Sequence, residues 1–311
     1  MAVLQAPTFS KRSCIRVLAC LAVLAWISGP VLSEERPTVV VTFSVLADFA
    51  RELVDEDADV VSLVPRGAEV HEYELRPADF RALERADIVF YNGLTLEQWL
   101  HQVRSVADEA VPIIGVADAS GIQTLPILSG EYQGQPDPHA WMDPARAGLY
   151  VRAMAERLAA VLPEQAADIS DRAERYLSEL SELQAAMVDS LSAISDDRRM
   201  LISSEAAFVY FAEAFDFFHE AIWGNNAETE GGPRQLMRVV DIIAERQPPA
   251  LFWESTVSSR SVETISTETG VPYFGPLYVD SLGEPGSGAD TYIGMMRTNV
   301  DVLRQALLDE R

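Results

Sequence analysis

From residue 164 to about residue 195 the chain contains neither glycine nor proline, and leucine, alanine, glutamate and arginine recur at helical spacing. Roughly 30 residues in one helix, at about 1.5 Å each, span about 45 Å. That exceeds the width of a small domain, so the rest of the chain must be arranged around the helix, which suits a rigid strut between two lobes. The flanking sequence describes two lobes of one kind. Before the strut, β-branched and apolar runs at 38–43, 60–64, 87–91 and 112–116 alternate with helical periods at 46–53, 77–86 and 96–110, and a further helix at 145–162 is ended by Pro163. After it, strands at 200–203, 219–223 and 250–253 and an extended run at 273–279 alternate with helices at 206–215, 234–246, 261–269 and 291–308. Alternation of this kind implies mainly parallel sheets flanked by helices. The expected fold is α/β, with an N-terminal lobe over 34–163, a connecting helix over 164–195 and a C-terminal lobe over 196–311. Residues 117–138, with Gly, Ser, Pro and Gln and no period, read as a loop.

Residues 1–33 carry the pattern of an export signal. Lys11, Arg12 and Arg16 precede an apolar run at 17–27, Gly29 and Pro30 break it, and Val31-Leu32-Ser33 offers cleavage after Ser33. The run is too short to span a bilayer. The expected location is the periplasm. A lipoprotein anchor at Cys20 fits poorly, because the apolar run starts directly after Arg16 and continues past the cysteine. Cys14 and Cys20 are the two cysteines of the chain, so beyond residue 33 there is no disulfide, thiolate ligand or cysteine nucleophile. The net charge of −24 argues against nucleic acid or an anionic membrane face as partner and is compatible with cations.

Four histidines can be weighed one by one. His101, beside Gln102 and Arg104 on an expected helix, reads as a solvated surface residue. His219, after Phe217 and Phe218 at a strand start, reads as a hydrogen-bonded structural histidine. His71 follows a strand and the turn Pro65-Arg66-Gly67, at the carboxyl end of a strand where open α/β sheets place ligands; it is a ligand or an ordinary loop histidine. His139, between Pro138 and Trp141 where a loop enters a helix, is open to the same two readings. Glu205 stands at the end of a strand with core-like neighbours on both sides, and a buried carboxylate needs a partner. Its alternative is an acid stabilised at a helix N-terminus. Asp280 ends the apolar run 273–279, with a turn or cap as the alternative. Together His71, His139, Glu205 and Asp280 make a candidate metal site between lobes. They lie 66 to 75 residues apart, too far for a local motif such as HExxH or a calcium loop.

The strings GAEVHEYELRPAD (67–79), NGLTLEQWL (92–100), DPHAWMDP (137–144), LISSEAAFVYF (201–211), FWEST (252–256) and YVDSL (278–282) resemble, in family order, the metal-binding solute-binding proteins of ABC transporters, the TroA/ZnuA/PsaA-like family. The resemblance implies two α/β lobes joined by one long helix, with a metal held between them for delivery to a membrane permease served by a cytoplasmic ATPase. It implies that His71, His139 and Asp280 are metal ligands. Glu205 falls where the zinc branch has histidine and the manganese/iron branch has glutamate, and the 117–138 loop lacks the histidine-rich insert that the zinc branch often carries. The cargo it implies is Mn2+, with Fe2+ next and Zn2+ as the alternative.

Coordination chemistry points the same way. Zinc favours nitrogen and sulfur in tetrahedra, whereas manganese accepts more oxygen donors. The Irving–Williams order nevertheless places zinc above manganese at most such sites, so zinc binding in vitro is expected too. Both imidazoles must be neutral to ligate, so affinity is expected to fall below about pH 6.5. The expected action is capture and hand-over by a monomer, without covalent chemistry. The rivals are a metal-dependent hydrolase, which needs a general base such as Glu74 or Asp143, and an adhesin with a structural metal.

Overall fold

Thr38–Val41 (β1) is apolar on both faces, and Val39, Val40 and Val41 are completely buried. A strand without alternation belongs in the middle of a parallel sheet covered on both sides. β1 lies between β2 (Asp59–Ser62) and β3 (Ile88–Tyr91), with β4 (Ile113–Gly115) beyond β3, giving the all-parallel order β2-β1-β3-β4. Helices α1 (Ser44–Val54), α2 (Pro77–Leu83), α3 (Leu100–Val106) and α4 (Val116–Ser120) follow the successive strands, as right-handed βα units require. The computed structural model describes residues 1–3, 36–130, 132–224 and 231–308. The expected export signal, with Cys14, Cys20 and Ser33, therefore lies outside the described residues apart from its first three. Among those described, no helix is long and apolar enough to cross a membrane.

α5 (Pro144–Val161) begins with proline at a position where the missing N–H is unneeded, capped by Asp143, whose carboxylate accepts from Ala145 N–H. The long helix, expected over 164–195, runs Ala166–Leu191 (α6). Its buried residues Ile169, Ala173, Tyr176, Leu180, Leu183, Met187 and Leu191 recur at steps of three and four, a single stripe along its length. That stripe packs on α5, on α1 and on the closing helix α10 (Tyr292–Leu307), so the strut is stiffened by packing.

The second half repeats the βα pattern with a seam in it. β5 (Met200–Glu205) pairs in parallel with β6 (Phe218–Trp223), and β7 (Leu251–Glu254) with β8 (Tyr273–Leu277). β5 and β7 lie side by side, yet the two pairs form separate two-stranded sheets. Helices α7 (Val209–Phe215), α8 (Pro233–Arg246) and α9 (Arg260–Thr269) complete the half. Ile202, Ile222, Trp223, Val239, Ile243 and Leu251 belong to a local core there, while a larger core runs from Val39 to Leu307.

Two expectations are corrected. The helix expected over 96–110 is confined to Leu100–Val106, because Gly93, Leu94 and Thr95 all adopt left-handed φ (92°, 52° and 65°) and Leu96 and Trp99 are buried from turns. Glu97 holds that turn, accepting from the N–H groups of Asn92 and Gly93 and from the Thr42 hydroxyl. The 117–138 stretch is not all loop: α4 extends into it, and an antiparallel bridge joins Pro126 to Pro136.

Candidate metal centre

His71 lies in the loop after β2. The carbonyl of the preceding Val70 accepts from the Trp99 indole N–H at 2.7 Å, and the His71 N–H donates to Glu69 Oε1 at 2.8 Å, so the peptide that leads into the imidazole is held at both its carbonyl and its N–H. His139 precedes a single 3-10 turn, Ala140–Met142, that leads into α5. Asp137 Oδ1 accepts from the His139 backbone N–H at 2.9 Å and lies 3.0 Å from its Nδ1. A carboxylate beside Nδ1 keeps the proton there and leaves Nε2 as the free donor. Glu205 is the last residue of β5 itself, and α7 starts four residues later, so it does not cap that helix. Asp280 follows β8 in the loop before α10.

The four side chains, 66 to 75 residues apart in sequence, converge. His71 Nε2 is 3.5 Å from Glu205 Oε1 and 3.8 Å from Asp280 Oδ2. His139 Nε2 is 3.8 Å from Glu205 Oε1 and 3.5 Å from Asp280 Oδ1. One donor atom from each residue lies within 4.8 Å of all the others, and none of the four residues is more than 1% exposed. Around an ion with bonds of about 2.1 Å, adjacent donors stand roughly 3.0 to 3.4 Å apart, close to the four imidazole–carboxylate distances of 3.5 to 3.8 Å. Among the described residues, both ring nitrogens of His71, Nε2 of His139 and both oxygens of Asp280 have no hydrogen-bond partner. Buried polar atoms left unpaired are costly, and a shared cation would satisfy Nε2 of both imidazoles together with Asp280.

The two imidazoles differ in their electrostatics. Burial, then the neighbouring His139, holds the His71 imidazole well below its ordinary pKa, so it is neutral at neutral pH. Burial also acts to lower that of His139, but Asp137 and Asp280 outweigh it and the net shift is upward. Burial raises the Asp280 carboxyl, opposed by His139. The other two histidines stay apart from the cluster. His101 is exposed. His219 is buried and hydrogen-bonded to Ser203 Oγ at 3.1 Å. Of the candidate hydrolytic bases, Glu74 is exposed and Asp143 is engaged by the α5 N-terminus and Arg146.

Two residues around the cluster escape a reading by residue type. Asp137 is one, although its place two residues before His139 is a signal that could have been used. Glu254 is the other: it ends the apolar strand β7, it is buried, and its carboxylate accepts from the Glu205 N–H at 3.3 Å.

Two parallel-sheet halves, a long packed helix and a buried cluster of two imidazoles and two carboxylates define the class of metal-binding solute-binding proteins. The chain belongs to the family described as "Zinc-uptake complex component A periplasmic", which it matches over residues 39–306. It is 39% identical over 270 residues to the "Manganese-binding lipoprotein MntA" of Halalkalibacterium halodurans, covering 86% of this chain and 88% of that one. It is 34% identical over 300 residues to the "Iron-binding protein YfeA" of Yersinia pestis, covering 93% and 95%. Among solved structures it resembles the periplasmic zinc binding protein TroA of Treponema pallidum with a TM-score of 0.82, at 28% identity and with 88% and 100% of the two chains covered.

Proposed function

We propose that this chain is the periplasmic capture component of an ABC importer for a divalent transition metal, that its ligands are His71, His139, Glu205 and Asp280, and that its cargo is Mn2+, with Fe2+ next. The observation that carries the reading is the buried meeting of two imidazoles and two carboxylates, donor atoms within 4.8 Å, from four segments spread along the sequence. Two carboxylates neutralise a divalent ion where water is scarce, and one of them stands where a third imidazole would favour zinc. Relatives named for manganese and iron support the same cargo.

Residues 34–163 and 196–311 are taken as the two lobes, with 164–195 between them and export directed by 1–33. The protein acts as a monomer, closes on the ion, and gives it up on docking to a membrane permease driven by its cytoplasmic ATPase. It performs no turnover in this reading; Glu74 is exposed, and Asp143 is engaged by the α5 N-terminus and Arg146. Elemental analysis of protein purified from the periplasm without added metal, beside Glu205→His, tests the assignment. Wild type is expected to carry manganese or iron and the variant to shift toward zinc. Identical metal selectivity in the two would refute the role given to Glu205.

A further inference from the structure

Glu205 stands at the seam of the second half, where no backbone ladder joins β5 to β7. Side chains hold its peptide there. Its N–H donates across the seam to Glu254 Oε1 at 3.3 Å. Its carbonyl accepts from the Ser203 hydroxyl at 2.7 Å, and that hydroxyl oxygen lies 3.1 Å from His219 Nε2 on β6. Because the hydroxyl proton goes to the Glu205 carbonyl, the imidazole Nε2–H donates to Ser203 Oγ. Glu254 is 1% exposed, Ser203 fully buried and His219 7% exposed.

Among the described residues no strand carbonyl crosses the seam to the Glu205 N–H, and a buried N–H left unpaired is costly, so the Glu254 carboxyl supplies the acceptor. Glu254 thereby touches the backbone of one candidate ligand from the other side of the seam. We propose that Glu254 is a positioning residue of the metal centre: by accepting the Glu205 N–H it fixes the backbone from which the Glu205 carboxylate reaches the ion. This rests on the ligand assignment proposed above. Because oxygen donors matter more to manganese than to zinc, Glu254 then also supports the manganese preference.

The test is metal titration of the metal-free full chain with Mn2+ and, separately, with Zn2+, for wild type, Glu205→Ala, Glu254→Ala and Glu254→Gln. Electron paramagnetic resonance of bound Mn2+ reports coordination geometry, and circular dichroism checks the fold. Loss of an outer partner of a ligand costs about tenfold to a hundredfold in affinity, and that is expected for Mn2+ with Glu254→Ala, with a broadened spectrum and a smaller loss for Zn2+. Glu254→Gln keeps an acceptor of the same shape and is expected to stay within about threefold of wild type. If Glu254→Ala does not fold, Glu254→Leu, which fills the space without an acceptor, carries the same expectation. Wild-type Mn2+ affinity and spectrum in the alanine or leucine variant, or an equal loss in alanine and glutamine, overturns the inference alone, provided wild type binds Mn2+ and Glu205→Ala does not. A wild type that binds no metal overturns the proposed function with it.

Discussion

The two halves of the molecule carry their donors by different means. In the first half a continuous parallel ladder supports loops: the His139 ring is oriented directly by the Asp137 carboxylate, and His71 is held through the peptide that precedes it. In the second half the sheet is split, and Glu205 sits at the split with its peptide held by Glu254 and Ser203. Asp280 follows β8 in sequence but is fastened to the first half. Gly67 N–H donates to Ser281 Oγ at 2.7 Å, Leu282 N–H to Ser44 Oγ at 2.9 Å, and Trp141 Nε1–H to Val279 O at 3.1 Å, while the Arg66 guanidinium reaches the carbonyls of Gly283 and Asp290. Three of the proposed donors thus share one framework and the fourth stands on another. Position along the chain is a poor guide to which candidate ligands are mechanically joined.

That contrast can be broken at its strongest point. Losing an outer partner of a ligand costs about tenfold to a hundredfold, so removing a proposed donor itself with His139→Ala should cost more, on the order of a hundred- to a thousandfold in Mn2+ affinity. Calorimetric titration measures it, and a loss below tenfold would mean that the imidazole is not a ligand. Asp137→Asn sharpens the comparison by leaving the donor in place and weakening its orientation. Tenfold to a hundredfold weaker binding is expected with the fold intact. Should Asp137→Asn bind as tightly as wild type, His139 would be positioned by its loop alone, and the two halves would hold their ligands in the same way.

Much of this was legible in the sequence, and the misses have physical causes. The valine run of β1 and the glycine- and proline-free stretch of α6 could be read because strand interiors and long helices are governed by local pattern. The 96–110 helix was overextended because Leu96, Trp99 and Leu100 have helical spacing, while the turn at 93–95 depends on Glu97 reaching Thr42 in another element. The four candidate ligands could be named from strand ends and family strings; their convergence depends on packing that no local spacing encodes. Glu254 was invisible for the same reason. At the end of Leu251-Phe252-Trp253 it looks like a polar residue leaving a strand, and only the seam between β5 and β7 gives it Glu205 as a neighbour.

The smallest expected effect probes the far side of that seam. His219 is buried against Phe208 and Ser203, and burial, then the nearby His139, lowers its pKa to about 3 from the ordinary 6.5. In the folded chain it therefore stays neutral between those values, whereas the unfolded chain takes up a proton as pH falls through 6.5. A group whose folded pKa is depressed contributes stability that is present above the unfolded value and is lost as pH falls toward the folded one. Between pH 7 and pH 5.5 this loss amounts to about 1 kcal/mol. His219→Gln removes the titration and keeps a hydrogen-bonding side chain beside Ser203. Urea unfolding of metal-free wild type and variant at the two pH values should show the wild type losing about 1 kcal/mol more than the variant. Parallel losses would mean that the imidazole is reached by water, and that the grip on the Glu205 carbonyl is looser than the dry, side-chain-held seam described for this half.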